Sequence, residues 1–399
     1  MRHNFDEIID RKNIHSSKWD DYNNRLGVDK SVEMIPMWVA DMDFNSPKEV
    51  VDEIKKRAAV GNYGYIVPPE DFYNSIISWF KKRYDVNVKK DWIVFSPGVL
   101  PGLNAAIQSL TNKNDGIIIQ EPVYYPFMDG ANNNERKIVN NQLINNNGHY
   151  EIDFDDLEAK CKDSNNKLMI ISNPHNPVGR SWTKEELIKL CKLCCDNDVI
   201  LISDEIHSDL TMKGHKHEVV LGLSDEISQN SIVMHSASKT FNLAGLQTAY
   251  SIIPNENIRN KVAERLKKNR IINMNWFGPF ALATAYNNCE YYVDELCEYV
   301  YQNMLYMKEF IDSKLPNIKM NISEATYLVW VDFRGTGMSN EQIEHFITHE
   351  AHIAVDYGRW FGNGGEGFLR INLACPRKIL EKAMDNLLNA FKKIDDKGR

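Results

Sequence analysis

Lys239 stands at the end of SIVMHSASK, behind Ser236 and Ser238 and just ahead of a turn of small residues. A lysine amine is nucleophilic only when uncharged, and burial or nearby positive charge lowers its pKa to that end. Most lysines are solvated cations. An apolar run before this one and two hydroxyls beside it set it apart. Two serines and a lysine also suit a phosphate, because they offer hydrogen-bond donors and positive charge together.

Other stretches offer complementary chemistry. In SPGVLPGLNAAIQSL, Gly98 opens a helix whose free amides at Val99 and Leu100 can hold an anion, although most such helix starts bind nothing. Asp204 ends the apolar run VILISD, where a carboxylate either pairs with a cation, such as a protonated ring nitrogen, or caps backbone amides. His207, three residues on, is either a buried hydrogen-bonding histidine or a partner of the same ligand. Asn173 and Asn176 in SNPHNPVGR lie in turn chemistry that can also present an amide side chain rigidly. Tyr124 and Tyr125 in EPVYYPF offer a flat face to a ring, or pack in the core. Arg370 interrupts the apolar GFLRINLACP and needs a carboxylate, from protein or ligand. Together these describe one ligand: a phosphate, a flat ring with a basic nitrogen, a carbonyl open to a lysine, and a substrate bearing a carboxylate. Pyridoxal 5'-phosphate with an amino acid has these parts.

The elements that must position them are legible. Short apolar runs, WIVF, GIIIQ, KIVNN, KLMIIS, VILIS, SIVMHS and AYSIIP, alternate with helical stretches such as TKEELIKLCKLC. Runs this apolar predict a largely parallel sheet of seven strands covered on both faces, and such sheets gather chemistry at the carboxyl ends of their strands. Five of the stretches named above follow such runs. SPKEVVDEIKKRAAVG predicts a helix with Ser46 as N-cap, Pro47 at its first position, Glu49 completing a capping box and Gly61 as terminator. After about residue 285 a long helix, the strands YLVWVDF and FLRINLA and a closing helix predict a smaller α+β domain. The expected division is 46–285 for the large domain, with 1–45 and 286–399 forming the small one. The asparagine runs 132–134 and 145–147 are expected in surface loops.

Bulk properties exclude several classes. The 399 residues carry a net charge of −8, which argues against nucleic acid or an anionic membrane as partner. The opening MRHNFDEIIDRK is too polar for a signal peptide and no run is long enough to span a bilayer, so a cytoplasmic protein is expected. No metal is expected. Cys191, Cys194 and Cys195 lack a second Cys/His pair at matching spacing and read as small core residues on a helix face.

The motifs SASKTFNLAG, NPHNPVGR, DEIH and FLRINLACPR stand in the order and approximate spacing of fold-type I pyridoxal-phosphate enzymes of the class I/II aminotransferase superfamily, which the chain resembles along its whole length. MWVADMDF, NYGY, TYLVWVDF and GEGFLRINLACPR resemble its cystathionine β-lyase, or C–S lyase, subgroup of MalY/PatB type. The resemblance implies that Lys239 joins the cofactor covalently, Asp204 pairs with the pyridine nitrogen, and Tyr124 stacks on the ring. It implies that His207 and Asn176 contact the 3-oxygen, and that Val99, Leu100, Ser236 and Ser238 hold the phosphate. Arg370 would bind the substrate α-carboxylate, with Ala40 lining the same site. Tyr65 would reach the neighbouring subunit's phosphate across a homodimer interface. One departure stands out: the position eight residues after the lysine, often a phosphate-binding arginine, is Gln247. The resemblance implies β-elimination from L-cystathionine and other cysteine S-conjugates. The alternatives are transamination to a 2-oxo acid and a regulatory binding protein that keeps the fold.

Overall fold

The computed structural model describes residues 2–29 and 31–397. All seven apolar runs form strands of one sheet: β1 (Ile93–Ser96), β2 (Gly116–Ile119), β3 (Lys137–Asn140), β4 (Asn166–Ser172), β5 (Ile200–Asp204), β6 (Ser231–His235) and β7 (Ala249–Ile252), in the order β1-β7-β6-β5-β4-β2-β3. Only β7 runs antiparallel to its neighbours. Successive residues point to opposite faces of the sheet, so the inner runs must be apolar to fill two cores, while β3 at the edge is only part-buried. Ile117, Ile119, Leu168 and Ile170 join one core, while Ile118, Met169 and Ile171 join the other. Helices α1 (Lys48–Ala58), α2 (Glu70–Tyr84), α3 (Val99–Leu110), α4 (Lys184–Asp196) and α5 (Glu256–Lys268) flank the sheet. Helices α3 and α5 cover the first face; α2 and α4 cover the second. Cys191 and Cys194 on α4 are buried in that second core, and Cys195 is half-buried at its edge.

The start of α1 differs from expectation. Pro47, not Ser46, occupies the cap position, and no side chain caps the helix. The Ser46 hydroxyl points to the Asn242 carbonyl, at 3.5 Å. Glu49 instead accepts from Tyr291 Oη at 3.0 Å. Helix α1 ends at Ala58, and Gly61 follows with φ +70°. The asparagine runs differ as well. Asn132 and Asn133 end the helix Pro126–Asn133, and Asn134 caps it with its amide on the Gly130 carbonyl at 2.7 Å. Asn145 and Asn146 lie in a strand of a small hairpin, which turns at Asn147 and Gly148.

Beyond the long helix α6 (Glu290–Lys314), strands β8 (Lys319–Met320), β9 (Leu328–Asp332), β10 (Asp356–Tyr357) and β11 (Phe368–Asn372) form a second, antiparallel sheet in the order β8-β9-β11-β10. Helix α7 (Arg377–Lys397) closes the chain. The N-terminal segment is stitched to this part: Ile35–Pro36 pairs in parallel with Ile353–Ala354. Farther along, the Asn372 side chain donates to the carbonyls of Val39 and Asp41, both at 2.7 Å. No described helix is long and apolar enough to cross a membrane.

Candidate active site

Strands β1, β5 and β6 end at the rim of one cavity of about 360 Å³. Ala40, Val99, Leu100, Tyr124, Asn176, Asp204, His207, Ser236, Ser238 and Lys239 all line it, as does Gln247. Four of the residues singled out do not: Asn173 and Tyr125 lie outside its lining, and so do Arg370 and Tyr65. Arg370 is reached through Asn176, and Tyr65 is 93% exposed on the loop between α1 and α2, away from the site of its own chain.

Lys239 follows β6 in a tight turn and faces the cavity. Its Nζ donates to the Ala40 carbonyl at 2.7 Å. Burial first, then the Arg370 cation, lowers the lysine from 10.5 to about 8, against the pull of Asp41, Asp204 and Asp356. An amine so placed becomes free base as pH rises through about 8, far below an ordinary lysine, and a nucleophile or general base requires that form.

Asp204 is buried at the end of β5, and among the described residues its carboxylate has one hydrogen bond, from the Ile206 amide at 3.1 Å. Burial pushes its carboxyl up to about 7, only partly offset by the Ile206 amide and Lys239. His207 is buried too, with Nδ1 unpartnered. Burial, followed by the cations of Lys239 and Arg370, holds its imidazole neutral. A buried carboxylate short of partners and an orphaned imidazole nitrogen on one wall fit a polar ligand containing a cationic ring nitrogen.

The opposite end fits an anion. Gly98 caps α3 without any side-chain bond, leaving the amides of Val99 and Leu100 free at the cavity. The two serines differ. Ser236 Oγ donates to the Thr248 carbonyl at 2.7 Å and accepts from the Ser238 amide at 3.1 Å, so its proton is committed to the loop. Ser238 keeps its hydroxyl free of protein partners among the described residues. Gln247 borders the same end with φ +50°.

Arg370 is buried in β11. Its Nε donates to Asp356 Oδ2 at 3.0 Å, Nη2 contacts the same oxygen, and Nη1 donates to Asn176 Oδ1 at 2.9 Å. Asp356 lies directly across the ladder from Arg370, so the two share a face. The carboxylate that Arg370 needs is therefore in part the protein's own. Sequence reasoning missed Asp356, whose only signal is a lone acid after the apolar IAV. It also missed Tyr327, which donates to the Ala40 carbonyl at 2.9 Å and has no sequence signal beyond the aromatic TYLVW.

The model of the family described as aminotransferase class I and II matches residues 32–387. Cystathionine β-lyase PatB of Bacillus subtilis (strain 168) is 38% identical over 388 residues, covering 97% of this chain and 100% of that protein. Cystalysin from Treponema denticola, solved with pyridoxal 5'-phosphate, has TM-score 0.96 and 36% identity over 99% of this chain and 100% of that one. A PLP-bound protein of Clostridium difficile 630, named as a candidate aminotransferase, has TM-score 0.95 and 41% identity over 97% of this chain and 99% of that one. With its fold, its strand-end constellation and nearly its whole length in agreement, the chain belongs to the class I and II aminotransferase family.

Proposed function

We propose that the protein is a pyridoxal-phosphate-dependent carbon–sulfur β-lyase that converts L-cystathionine and water to homocysteine, pyruvate and ammonia, with other cysteine S-conjugates as further substrates. The observation that carries this reading is the pair Lys239 and Asp204: a lowered amine and an under-partnered buried carboxylate facing one cavity beneath a free helix N-terminus. Two of its relatives, PatB of Bacillus subtilis and a Corynebacterium glutamicum protein, are named cystathionine β-lyases, which favours elimination.

Bound pyridoxal phosphate supplies an electron sink for the bond broken at the substrate α-carbon. Asp204 would hold the ring nitrogen, Tyr124 the ring face, and His207 with Asn176 the 3-oxygen. The Val99 and Leu100 amides, Ser238 and, as an acceptor-biased neighbour, Ser236 would surround the phosphate. Arg370, aimed by Asp356 and Asn176, binds the α-carboxylate with Ala40 alongside. Lys239 as free base takes the α-proton, after which the thiolate leaves the β-carbon. Tyr65 would complete the phosphate site of a second copy in a homodimer. The exposed apolar residues Val60, Tyr63 and Val67 beside it support such an interface. The same reading divides the chain into a cofactor-binding part, 46–285, and a smaller part from both ends. It also places the protein in the cytoplasm, where the seven unpaired cysteines stay reduced.

The test adds cystathionine without any 2-oxo acid and follows pyruvate and free thiol. Release of both is expected. Turnover that requires a 2-oxo acid establishes instead the transaminase reading, favoured by the description of the Clostridium difficile relative. Inactivity in both assays leaves a binding protein.

A further inference from the structure

Of the motif MWVADMDF, only Ala40 enters the site, yet both of its aspartates are tied into an ion cluster. Asp43, 2% exposed, accepts from Arg11 Nη1 at 2.8 Å, Trp19 Nε1 at 2.7 Å and Lys18 Nζ at 2.8 Å. Lys18 is itself fully buried. Arg11 also grips Asp41 with both arms, at 3.0 and 2.7 Å. The intervening backbone is held as well: Asn242, three residues after Lys239, donates to the carbonyls of Met42 and Phe44 and accepts from the Met42 amide. Of the four charges, Lys18 and Asp43 are buried and Arg11 and Asp41 part-buried; such a cluster brings little net stability compared with apolar residues of the same volume, and clusters of this kind are retained in some proteins because they specify one geometry. Here the geometry has a visible end point. The Ala40 carbonyl, next to Asp41, receives the free amine of Lys239 at 2.7 Å.

We propose that Arg11, Lys18, Asp41 and Asp43 are positioning residues for the reacting amine: their cluster fixes the Ala40 carbonyl as the seat to which Lys239 Nζ returns whenever it is not bonded to the cofactor. Through Asn242 the same segment is tied to the loop that carries the lysine, so seat and amine are held in one frame. The proposal rests on Lys239 being the reacting amine. The charged groups that face Lys239 are Arg370, Asp41, Asp204 and Asp356. Losing the seat removes a carbonyl acceptor and withdraws the charge of Asp41, both of which favour the ammonium form.

The test is Asp43→Asn in the full-length protein, with two readouts. Amide hydrogen exchange of Met42 and Asp43 is expected to quicken at least about tenfold. In protein stripped of cofactor, the pH midpoint for acetylation of Lys239 by acetic anhydride, followed by peptide mass spectrometry, is expected to fall by about half a unit or more. If either readout stays at the wild-type value, the cluster does not seat the amine and the proposal is overturned. Should Asp43→Asn fail to fold, Trp19→Phe removes one of the three donors and carries the same test, with exchange quickened about threefold. Failure of wild-type protein to release pyruvate from cystathionine would sink the lyase reading while leaving both readouts intact.

Discussion

Arg370 Nη1 lies 2.9 Å from Asn176 Oδ1, which joins the middle of strand β11 in the smaller sheet to the loop after β4 in the larger. The proposed carboxylate subsite thus belongs to neither sheet alone. Arg370→Lys keeps the charge and loses the fork, so KM for amino-acid substrates is expected to rise about tenfold, and Arg370→Ala about a hundredfold. Steady-state kinetics check both; an unaltered KM in the alanine variant moves the subsite elsewhere.

Asp204 links the site to stability. Its carboxyl titrates at 3.8 ordinarily and at about 7 when folded without cofactor. Between those values the folded protein binds more protons than the unfolded chain, so this group's contribution is full below about pH 4 and lost as pH rises through about 7. Cofactor-free Asp204→Asn is therefore expected to melt above wild type at pH 8 and close to it at pH 4. In the loaded enzyme the same change should lower kcat about a hundredfold or more, because the ring loses its charge-stabilising partner. Thermal scans at the two pH values and a turnover assay decide the matter.

The unequal hydroxyls of Ser236 and Ser238 predict unequal mutants. Ser238→Ala deletes an uncommitted donor and should weaken cofactor affinity about tenfold, with a small effect on melting. Ser236→Ala deletes two bonds internal to the loop, so its main effect should be a lower melting temperature. Equilibrium cofactor titration beside thermal unfolding separates the two patterns.

Gln247 borders the anion end of the cavity without charge. Gln247→Arg adds a cation there at a residue already in the left-handed conformation, so the backbone strain is unchanged. Cofactor dissociation is expected to slow about tenfold. A rate equal to wild type would show that the arginine does not reach the phosphate.

Tyr65 tests the dimer. Tyr65→Phe and Lys239→Ala are each expected to be nearly inactive alone. Mixed and re-equilibrated in equal amounts, they should regain about a quarter of wild-type activity, since each hybrid then carries one intact site. A tyrosine serving its own chain's site would give no recovery.

Strands were readable because a sheet buried on both faces forces continuous apolar runs, and each of the seven runs became a strand. Caps were less readable. Ser46 has the residue type of an N-cap, but the cap bond depends on where the chain enters the helix, and here Pro47 takes that place. Asp356 was invisible for a different reason. Its partner is set by the register of β10 on β11, and register is fixed by packing across the sheet rather than by the local string of residues. The differing commitments of Ser236 and Ser238 likewise depend on a carbonyl at Thr248, which no spacing rule supplies.

The order in which the chain emerges from the ribosome has a bearing on the site. Every residue lining the cavity has been synthesised by Thr248, whereas Asp356 and Arg370 come much later, near the Ile353–Ala354 strand and the Asn372 side chain that hold the N-terminal segment. A nascent chain therefore holds every lining residue well before it holds the pair proposed to grip a substrate. Synthesis itself imposes an order in which the reactive amine is made early, while the residues that anchor the segment of its Ala40 partner come last.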